Sequence, residues 1–156
     1  MTKNIQTTLP ESSFLEQFDA ADRTELSSFG EFLTYDPNTI LITEGGVQDF
    51  LYFVVDGTLH AATQRGKSLL GRITEGEWFG EVNVIDPGTA SATVTARTQT
   101  CVWRISRSGM EKYINEYPLL GAHILLSISI QLAKRLRGVN ERFGLKNDRA
   151  MLSIQV

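Results

Sequence analysis

The stretch of sequence that decides the fold is WFGE at residues 78–81, followed a few residues later by DPGTASATV at residues 86–94. The first part has the composition of a buried aromatic strand end, then a glycine where the backbone must approach another group closely, then a carboxylate. The second part is a Pro-Gly turn that leads into an apolar strand. Upstream, residues 49–57 read DFLYFVVDG, an apolar strand that ends in an Asp-Gly hairpin turn. These patterns predict short antiparallel strands joined by tight turns.

The composition is that of a soluble globular protein of one domain. The chain has 156 residues, of which 42% are hydrophobic and 21% charged, so an ordinary hydrophobic core can hold it together. Its single cysteine cannot form an internal disulfide. The first ten residues lack the apolar region of a signal peptide, and the apolar run at residues 119–132 is interrupted by polar side chains. We therefore expect a cytoplasmic protein without membrane contact.

Charge is distributed unevenly along the chain. The net charge of the whole chain is −3, but residues 1–60 contain two basic and ten acidic residues, a net charge of −8. Residues 119–156 contain six basic and two acidic residues, a net charge of +4. The overall negative charge argues against a nucleic-acid binder, and the basic tail suits a solvated helix face. We expect no direct DNA binding by this chain.

The spacing of apolar residues changes twice along the chain, which divides it into three predicted segments. Residues 11–30 have the spacing of one or two short helices, with serines at the start and a glycine at the end. Residues 31–106 alternate with period two and contain frequent turn pairs such as Asp-Gly and Pro-Gly. Residues 107–144 return to helical spacing. We predict a single, mainly β domain over residues 1–156, a sandwich or jelly roll flanked by short N-terminal helices and by C-terminal helices.

Two helices are predicted after the strands. Ser108 and Glu111 have the spacing of a capping box that opens the first helix, which stops before Pro118. The second helix begins at Leu119 and is ended by Gly144. Its apolar residues recur at steps of three and four, as in a coiled-coil seam: Leu125, Ile128, Leu132, Leu136, Val139 and Phe143. This stripe is either one core-facing side of the helix in a monomer or the contact between two copies.

The chain resembles the cyclic-nucleotide-binding domain family, in particular the regulatory domains of the catabolite-activator (Crp-Fnr) type. The resemblance covers roughly residues 12–144. The residues that carry it are the Glu-Gly pair at 44–45, the hairpin at 51–57, Phe-Gly-Glu at 79–81 and QLAKRLRGVN at 131–140. It implies the family's jelly roll, a long C-terminal helix that forms a homodimer seam, and a regulatory role.

The resemblance also implies a ligand site. In the family the Gly-Glu pair binds the ribose of the nucleotide, nearby amides meet the cyclic phosphate, and a polar residue of the long helix contacts adenine. Carried over to this sequence, the implied site comprises Gly80, Glu81, Val82, Ala90, Ser91, Ala92 and Asn140. For Asn140, a surface position or a place in a dimer seam fits the pattern as well as an adenine contact does.

One departure from the family pattern decides how well residues 80–92, called the cassette below, are expected to bind a cyclic nucleotide. The family's phosphate-pairing arginine falls on Ala90, which has no charge to offer. A charge-assisted contact of that kind is worth about 1.5–3 kcal/mol, so its loss weakens binding by roughly 10–100-fold. Ser91 keeps a hydroxyl for a phosphate oxygen, whereas neither Arg72 nor Arg97 is well spaced to replace the arginine. We therefore expect a degenerate cassette.

No other chemistry is indicated by the sequence. His60 and His123 lack the His-x-His pair and the downstream ligands of a metal-dependent cupin, so no metal site is predicted. No nucleophile-elbow, phosphate-loop or Cys-His pattern occurs, so no enzyme is predicted. No cofactor is certain, and weak binding of cAMP or cGMP is left open.

Two functions remain for the chain. The first, favoured by Ala90, is a homodimeric regulatory module with weakened or lost cyclic nucleotide binding that acts through a protein partner. The second, favoured by Gly80, Glu81 and Ser91, is a genuine sensor of cAMP, cGMP or a related anion that signals through its C-terminal helix.

Overall fold

The computed structural model of the chain describes residues 6–63 and 67–152, with side chains described up to Gly144. Within these ranges the strands are β1 (Glu31–Tyr35), β2 (Ile40–Ile42), β3 (Phe50–Asp56), β4 (Thr58–Thr63), β5 (Ser68–Thr74), β6 (Trp78–Phe79), β7 (Thr93–Ala96) and β8 (Thr100–Ser106). The helices are a 3₁₀ turn (Ser13–Leu15), α1 (Ala20–Ser28), α2 (Glu81–Ile85), α3 (Arg107–Glu116) and α4 (Pro118–Leu152).

These strands form two four-stranded sheets. The strand order is β1-β8-β3-β6 in the first sheet and β2-β7-β4-β5 in the second. All strand pairings are antiparallel. Most neighbours within a sheet come from distant parts of the sequence, as in a jelly roll. The predicted jelly roll, with short N-terminal helices and a long C-terminal helix, is confirmed.

Strand β3 is buried on both faces because its alternating side chains are apolar on each side. Tyr52 and Val54 belong to the core between the two sheets, where the Tyr52 ring stacks on Phe79 with centroids 4.7 Å apart. Leu51 and Phe53 lie on the opposite face and are also fully buried. The core between the sheets, called the inner core below, consists of Ile42, Tyr52, Val54, Leu59, Ile73, Phe79, Ala90, Val94 and Val102.

Helix α1 joins the outer face of the first sheet through its C-terminal end. The indole Nε1 of Trp103 on β8 donates a hydrogen bond of 3.1 Å to the carbonyl oxygen of Ser27. Phe29, which follows the helix, meets Tyr113 of α3 edge to face with ring centroids 5.1 Å apart. The helix begins at a capping box between Asp19 and Asp22, because each side chain accepts a hydrogen bond from the other residue's backbone N–H.

The predicted cap of the first C-terminal helix is wrong by two residues. The Oγ atom of Ser106 accepts a 3.0 Å hydrogen bond from the N–H of Gly109, so Ser106 is the N-cap of α3. Ser108 lies within the helix, and the Glu111 carboxylate instead accepts a hydrogen bond from Arg107 Nε at 3.1 Å. The physical reason is that β8 keeps extended backbone up to Ser106, which leaves the first free helical N–H groups beside that hydroxyl.

The second C-terminal helix runs further than predicted. Helix α4 begins at Pro118, where the missing proline N–H costs no hydrogen bond, and continues through Gly144 to Leu152. A glycine inside a helix costs only about 1 kcal/mol relative to alanine, so Gly144 does not have to end it. By length and composition alone, Pro118–Gly144 could cross a membrane, but core helices of soluble proteins pass the same test, so this is weak evidence. The expected absence of membrane contact stays a prediction.

By internal contacts the chain divides into two compact units, one up to Ile124 and one from Leu125 onward. The first unit contains both sheets and helices α1 to α3. The second contains most of α4. The single domain over residues 1–156 stays a prediction.

The corrected cap of α3 can be tested by comparing two serines. Ser106→Ala removes the oxygen that accepts from the Gly109 N–H, so we expect the free energy of unfolding to fall by about 1 kcal/mol. Ser108→Ala, the control, removes no cap and should change it by less than about 0.5 kcal/mol. Urea unfolding followed by circular dichroism measures both. A larger loss in Ser108→Ala would return the cap to Ser108.

Candidate functional site

The cassette connects β6 to β7 and begins with a glycine in the left-handed region. Gly80 has φ of 79° and ψ of 3°. A Cβ atom there would lie 2.5 Å from the carbonyl oxygen of Phe50 and 2.7 Å from Nε2 of Gln48. The Gln48 side chain fixes this close approach, because its Nε2 donates to the Gly80 carbonyl at 3.0 Å and its Oε1 accepts from the Phe50 N–H. Packing alone therefore requires a glycine at this position.

The short helix α2 follows and contributes the acidic residue of the predicted site. Glu81 is buried, with 4% of its surface exposed, whereas the next residue, Val82, is 49% exposed. Asn83, which the sequence analysis missed, is also buried and donates from Nδ2 to the Thr89 carbonyl at 3.0 Å. This hydrogen bond ties the helix to the far end of the loop. The signal for it was a lone polar residue in an apolar run just before a Pro-Gly turn.

Ala90, at the position of the family arginine, is part of the inner core. Its side chain is 5% exposed and packs in the cluster that also contains Tyr52 and Phe79. Its N–H donates to the Gly46 carbonyl at 2.8 Å, and its carbonyl accepts from the Gly45 N–H at 2.8 Å. Both backbone hydrogen-bonding groups of Ala90 are therefore used within the protein.

The two residues after Ala90 are more accessible. Ser91 is exposed and Ala92 is half-buried. Both ends of the cassette are thus anchored in the inner core, since Phe79, the residue before Gly80, and Ala90 both belong to it. It places the Ser91 side chain toward solvent.

Glu44, which the sequence analysis named for the family resemblance but not for the site, lies next to the pair of glycines that bond to Ala90. Glu44 precedes Gly45, and its N–H donates to Thr93 Oγ1 at 3.0 Å. Its Oε1 accepts a hydrogen bond from Thr63 Oγ1 at 2.6 Å. Glu44 therefore joins β4 to β7 where the cassette ends, and it adds negative charge to that region.

The remaining predicted residues lie elsewhere in the chain. Arg72 lies on β5, which β4 separates from β7, and its side chain is exposed. Arg97 is exposed in the turn after β7. Asn140 is exposed on α4, in the second compact unit. Within the described ranges, no group of three His, Cys, Asp or Glu side chains could hold a metal ion.

The steric role of Gly80 can be separated from its conformation by comparison with Gly45. Both have φ of 79°, but a Cβ added to Gly45 would meet nothing within 4 Å. We expect Gly45→Ala to lower the free energy of unfolding by about 1–2 kcal/mol, the cost of left-handed backbone alone. Gly80→Ala should cost clearly more, about 3 kcal/mol, because it adds a collision with backbone. Urea unfolding without ligand measures both, and equal losses would remove the steric explanation.

Comparison with known proteins agrees with this architecture. Residues 32–117, more than half of the chain, match the model of the family described as cyclic nucleotide-binding domain. Potassium/sodium hyperpolarization-activated cyclic nucleotide-gated channel 1 of Homo sapiens is 28% identical over 97 residues, which are 62% of this chain and 11% of the channel. This chain therefore spans only about a tenth of the length of that relative.

Two solved structures share the fold at low sequence identity. A cyclic nucleotide-binding domain from Methylobacillus flagellatus KT has a TM-score of 0.75 and 23% identity, covering 83% of this chain and 74% of that one. The catabolite activator protein of Thermus thermophilus has a TM-score of 0.73 and 24% identity, covering 87% of this chain and 63% of that one. With the family match over the β strands and the cassette, these findings establish that the chain belongs to the cyclic nucleotide-binding domain family.

Proposed function

We propose that this chain is a regulatory module of the cyclic-nucleotide-binding fold whose binding of cyclic nucleotides is weakened or lost, and that it acts through contacts with a partner protein. The observation that carries the proposal is Ala90. Its side chain fills the inner core, and its N–H and carbonyl are both bonded to the loop at Gly45 and Gly46. Neither the side chain nor the backbone of this residue is left to hold a phosphate.

The charges near the cassette support the same proposal. Glu81 is buried at its start, and Glu44 lies beside the loop that binds Ala90. Without an arginine at position 90, these carboxylates oppose the negative charge of a cyclic phosphate. The presence of Gly80 is not evidence for a ligand, because the close approach of the Phe50 carbonyl already requires a glycine at this position.

The alternative is a genuine sensor of cAMP, cGMP or a related anion that signals through its C-terminal helix. It is favoured by the exposed hydroxyl of Ser91 and by the relatives named for cyclic nucleotide binding or gating. In this alternative Glu81 accepts a hydrogen bond from the ribose and backbone amides of the cassette hold the phosphate.

Titration of the wild-type chain with cAMP and with cGMP separates the two functions. We expect no binding, or a dissociation constant well above about 10 µM, because the charge-assisted phosphate contact is missing. Isothermal titration calorimetry measures it directly. A dissociation constant of a few micromolar or less for either nucleotide would contradict the proposal and establish the sensor.

The variant Ala90→Arg tests whether the missing charge is the cause. If the pocket is otherwise intact, the affinity for cAMP or cGMP should rise by at least about tenfold. Ser91→Arg is the matched control, because it adds the same charge at the exposed neighbouring position. An equal gain in both variants would point to a general charge effect instead. Because Ala90 is buried, thermal unfolding must first show that the variant folds. A folded Ala90→Arg that ignores both nucleotides would remove the main support for the sensor.

We further propose that the module is a homodimer whose seam is the apolar stripe of α4. In this stripe Leu125, Leu136, Val139 and Phe143 are 40%, 62%, 42% and 63% exposed. Leu132 is half-buried, and Ile128 has only 2% of its surface exposed. The four exposed residues of the stripe therefore supply most of the surface for contact with a second copy. Large exposed apolar side chains at coiled-coil spacing favour a second helix as the partner. We also propose that the module is cytoplasmic. Its net charge of −3 disfavours contact with the negative DNA backbone, so we propose no direct DNA binding.

The seam can be tested by placing a charge on it. Leu136→Glu would face its own copy across a two-fold axis, so we expect it to convert the dimer into monomers of 17.4 kDa. Leu126→Glu is the control, because Leu126 is 58% exposed but lies off the stripe. Light scattering at tens of micromolar measures the mass. A monomeric wild type, or a Leu136→Glu variant that is still a dimer, would contradict the seam.

A further inference from the structure

A single row of residues crosses the first sheet on its inner side and contains an arginine. Glu31 pairs with Arg104, Arg104 pairs with Tyr52, and Tyr52 pairs with Phe79, the residue before the cassette. Arg104 lies two residues from Val102, a member of the inner core, so both have the same orientation on β8. Among the described strand residues, it is the only lysine or arginine at an inward-facing position.

The guanidinium of Arg104 is held in a specific place. Its Cζ atom lies 4.2 Å from the centroid of the Phe50 ring, a cation–π contact. Burial lowers the pKa of Arg104, but the hydrogen bond to Glu31 and the negative charge of that carboxylate outweigh this and raise it above its usual value. The group is therefore charged and oriented at every ordinary pH.

The carboxylate that faces this guanidinium is a poor match for its geometry. Nε of Arg104 lies 2.8 Å from Oε1 of Glu31, and Nη2 lies 2.6 Å from the same oxygen. One oxygen thus meets both donors of the fork, although two parallel hydrogen bonds to two oxygens are the favourable arrangement. An oxyanion with two free oxygens can satisfy the fork better than Glu31 does.

The exposure of the two partners shows from which side such an anion can arrive. The side chain of Arg104 is 26% exposed, whereas that of Glu31 is 54% exposed. The carboxylate is the more solvated partner, so its release into water costs little, as is usual for an exposed ion pair. The contact with the Phe50 ring does not involve Glu31, so it still holds the guanidinium when that carboxylate leaves.

We propose that Arg104 is an anion-binding group of the roll, and that Glu31 occupies it until a small oxyanion, a phosphate or a carboxylate, displaces that side chain. The site differs from the cassette, because Arg104 lies on β8 and its two contacts described above are with Glu31 and Phe50, outside residues 80–92. The proposal goes beyond the proposed function and does not rest on it. A chain that ignores cAMP and cGMP can still bind phosphate at Arg104.

The experiment removes the carboxylate of Glu31, which competes with the anion for Arg104, and compares the result with the same change in the Arg107–Glu111 ion pair. Glu31→Gln releases Arg104, and Glu111→Gln releases Arg107, whose Nε lies 3.1 Å from Glu111 Oε1 in an exposed pair. Inorganic phosphate, and acetate as the carboxylate probe, are titrated at constant ionic strength so that general screening cancels. The readout is the NMR signal of the arginine Nε–H groups, with the dissociation constant taken from its shift.

We expect Glu31→Gln to bind phosphate about two- to fivefold more tightly than the wild type, which is the gain that release from an exposed ion pair can give. Glu111→Gln should bind as the wild type does. The double variant Glu31→Gln with Arg104→Gln should lose the binding, and isothermal titration calorimetry with phosphate measures this because the variant has no Arg104 signal. If acetate affinities rank the variants in the same order as phosphate affinities, the site also accepts carboxylates. If acetate does not bind, the site is restricted to phosphate.

Three outcomes would overturn the proposal. One is that no variant shifts the Arg104 signal with either anion. Another is an equal gain in Glu31→Gln and Glu111→Gln, which is what a change of net charge alone would give. The last is phosphate binding that persists in the double variant. All variants alter partly exposed side chains, so thermal unfolding should show that each of them folds.

Discussion

Strand β3 carries buried side chains on both of its faces, and the two cores of the protein are built on it. Toward the second sheet, Tyr52 and Val54 form the inner core, and Leu51 and Phe53 pack on the side that the helices cover. Such a strand tolerates no shift in register, since a slip by one residue would exchange the two faces. The position of the cassette depends on this register. Strand β6, which leads into the cassette, pairs with β3 through Trp78 and Phe79 alone.

Under the proposed function, the space around Ala90 belongs to the hydrophobic core and not to a ligand. The inner core gains from a small apolar side chain at this position, which a phosphate-pairing cation would displace. The hydrogen bonds of Ala90 to the loop at residues 45–46 close that edge further. Gly80 serves both purposes equally well, which is why its presence does not distinguish a binding site from a packing site.

The sequence predicted the fold better than the site, for physical reasons. Local signals were sufficient for the turns, as at Gly57, whose positive φ follows from its place in an Asp-Gly hairpin. The cap of α3 was misplaced because only Ser108 has a glutamate three residues later, whereas the end of β8, which no local pattern reveals, puts Ser106 at the cap. The partners of Glu44 lie 19 and 49 residues away in sequence, at Thr63 and Thr93, so no local pattern could reveal them.

The strand order of the first sheet also sets the order in which the chain can fold. Within that sheet β1 pairs only with β8, from Glu31 with Arg104 to Tyr35 with Thr100. During synthesis β1 leaves the ribosome long before its partner exists, and such distant pairs cost chain entropy before they form. Its open edge is then a hazard for association with other chains. The strong negative charge of residues 1–60 counters that hazard, because half-made chains with like charge repel one another. The acidic first part of the sequence therefore disfavours association between incomplete chains.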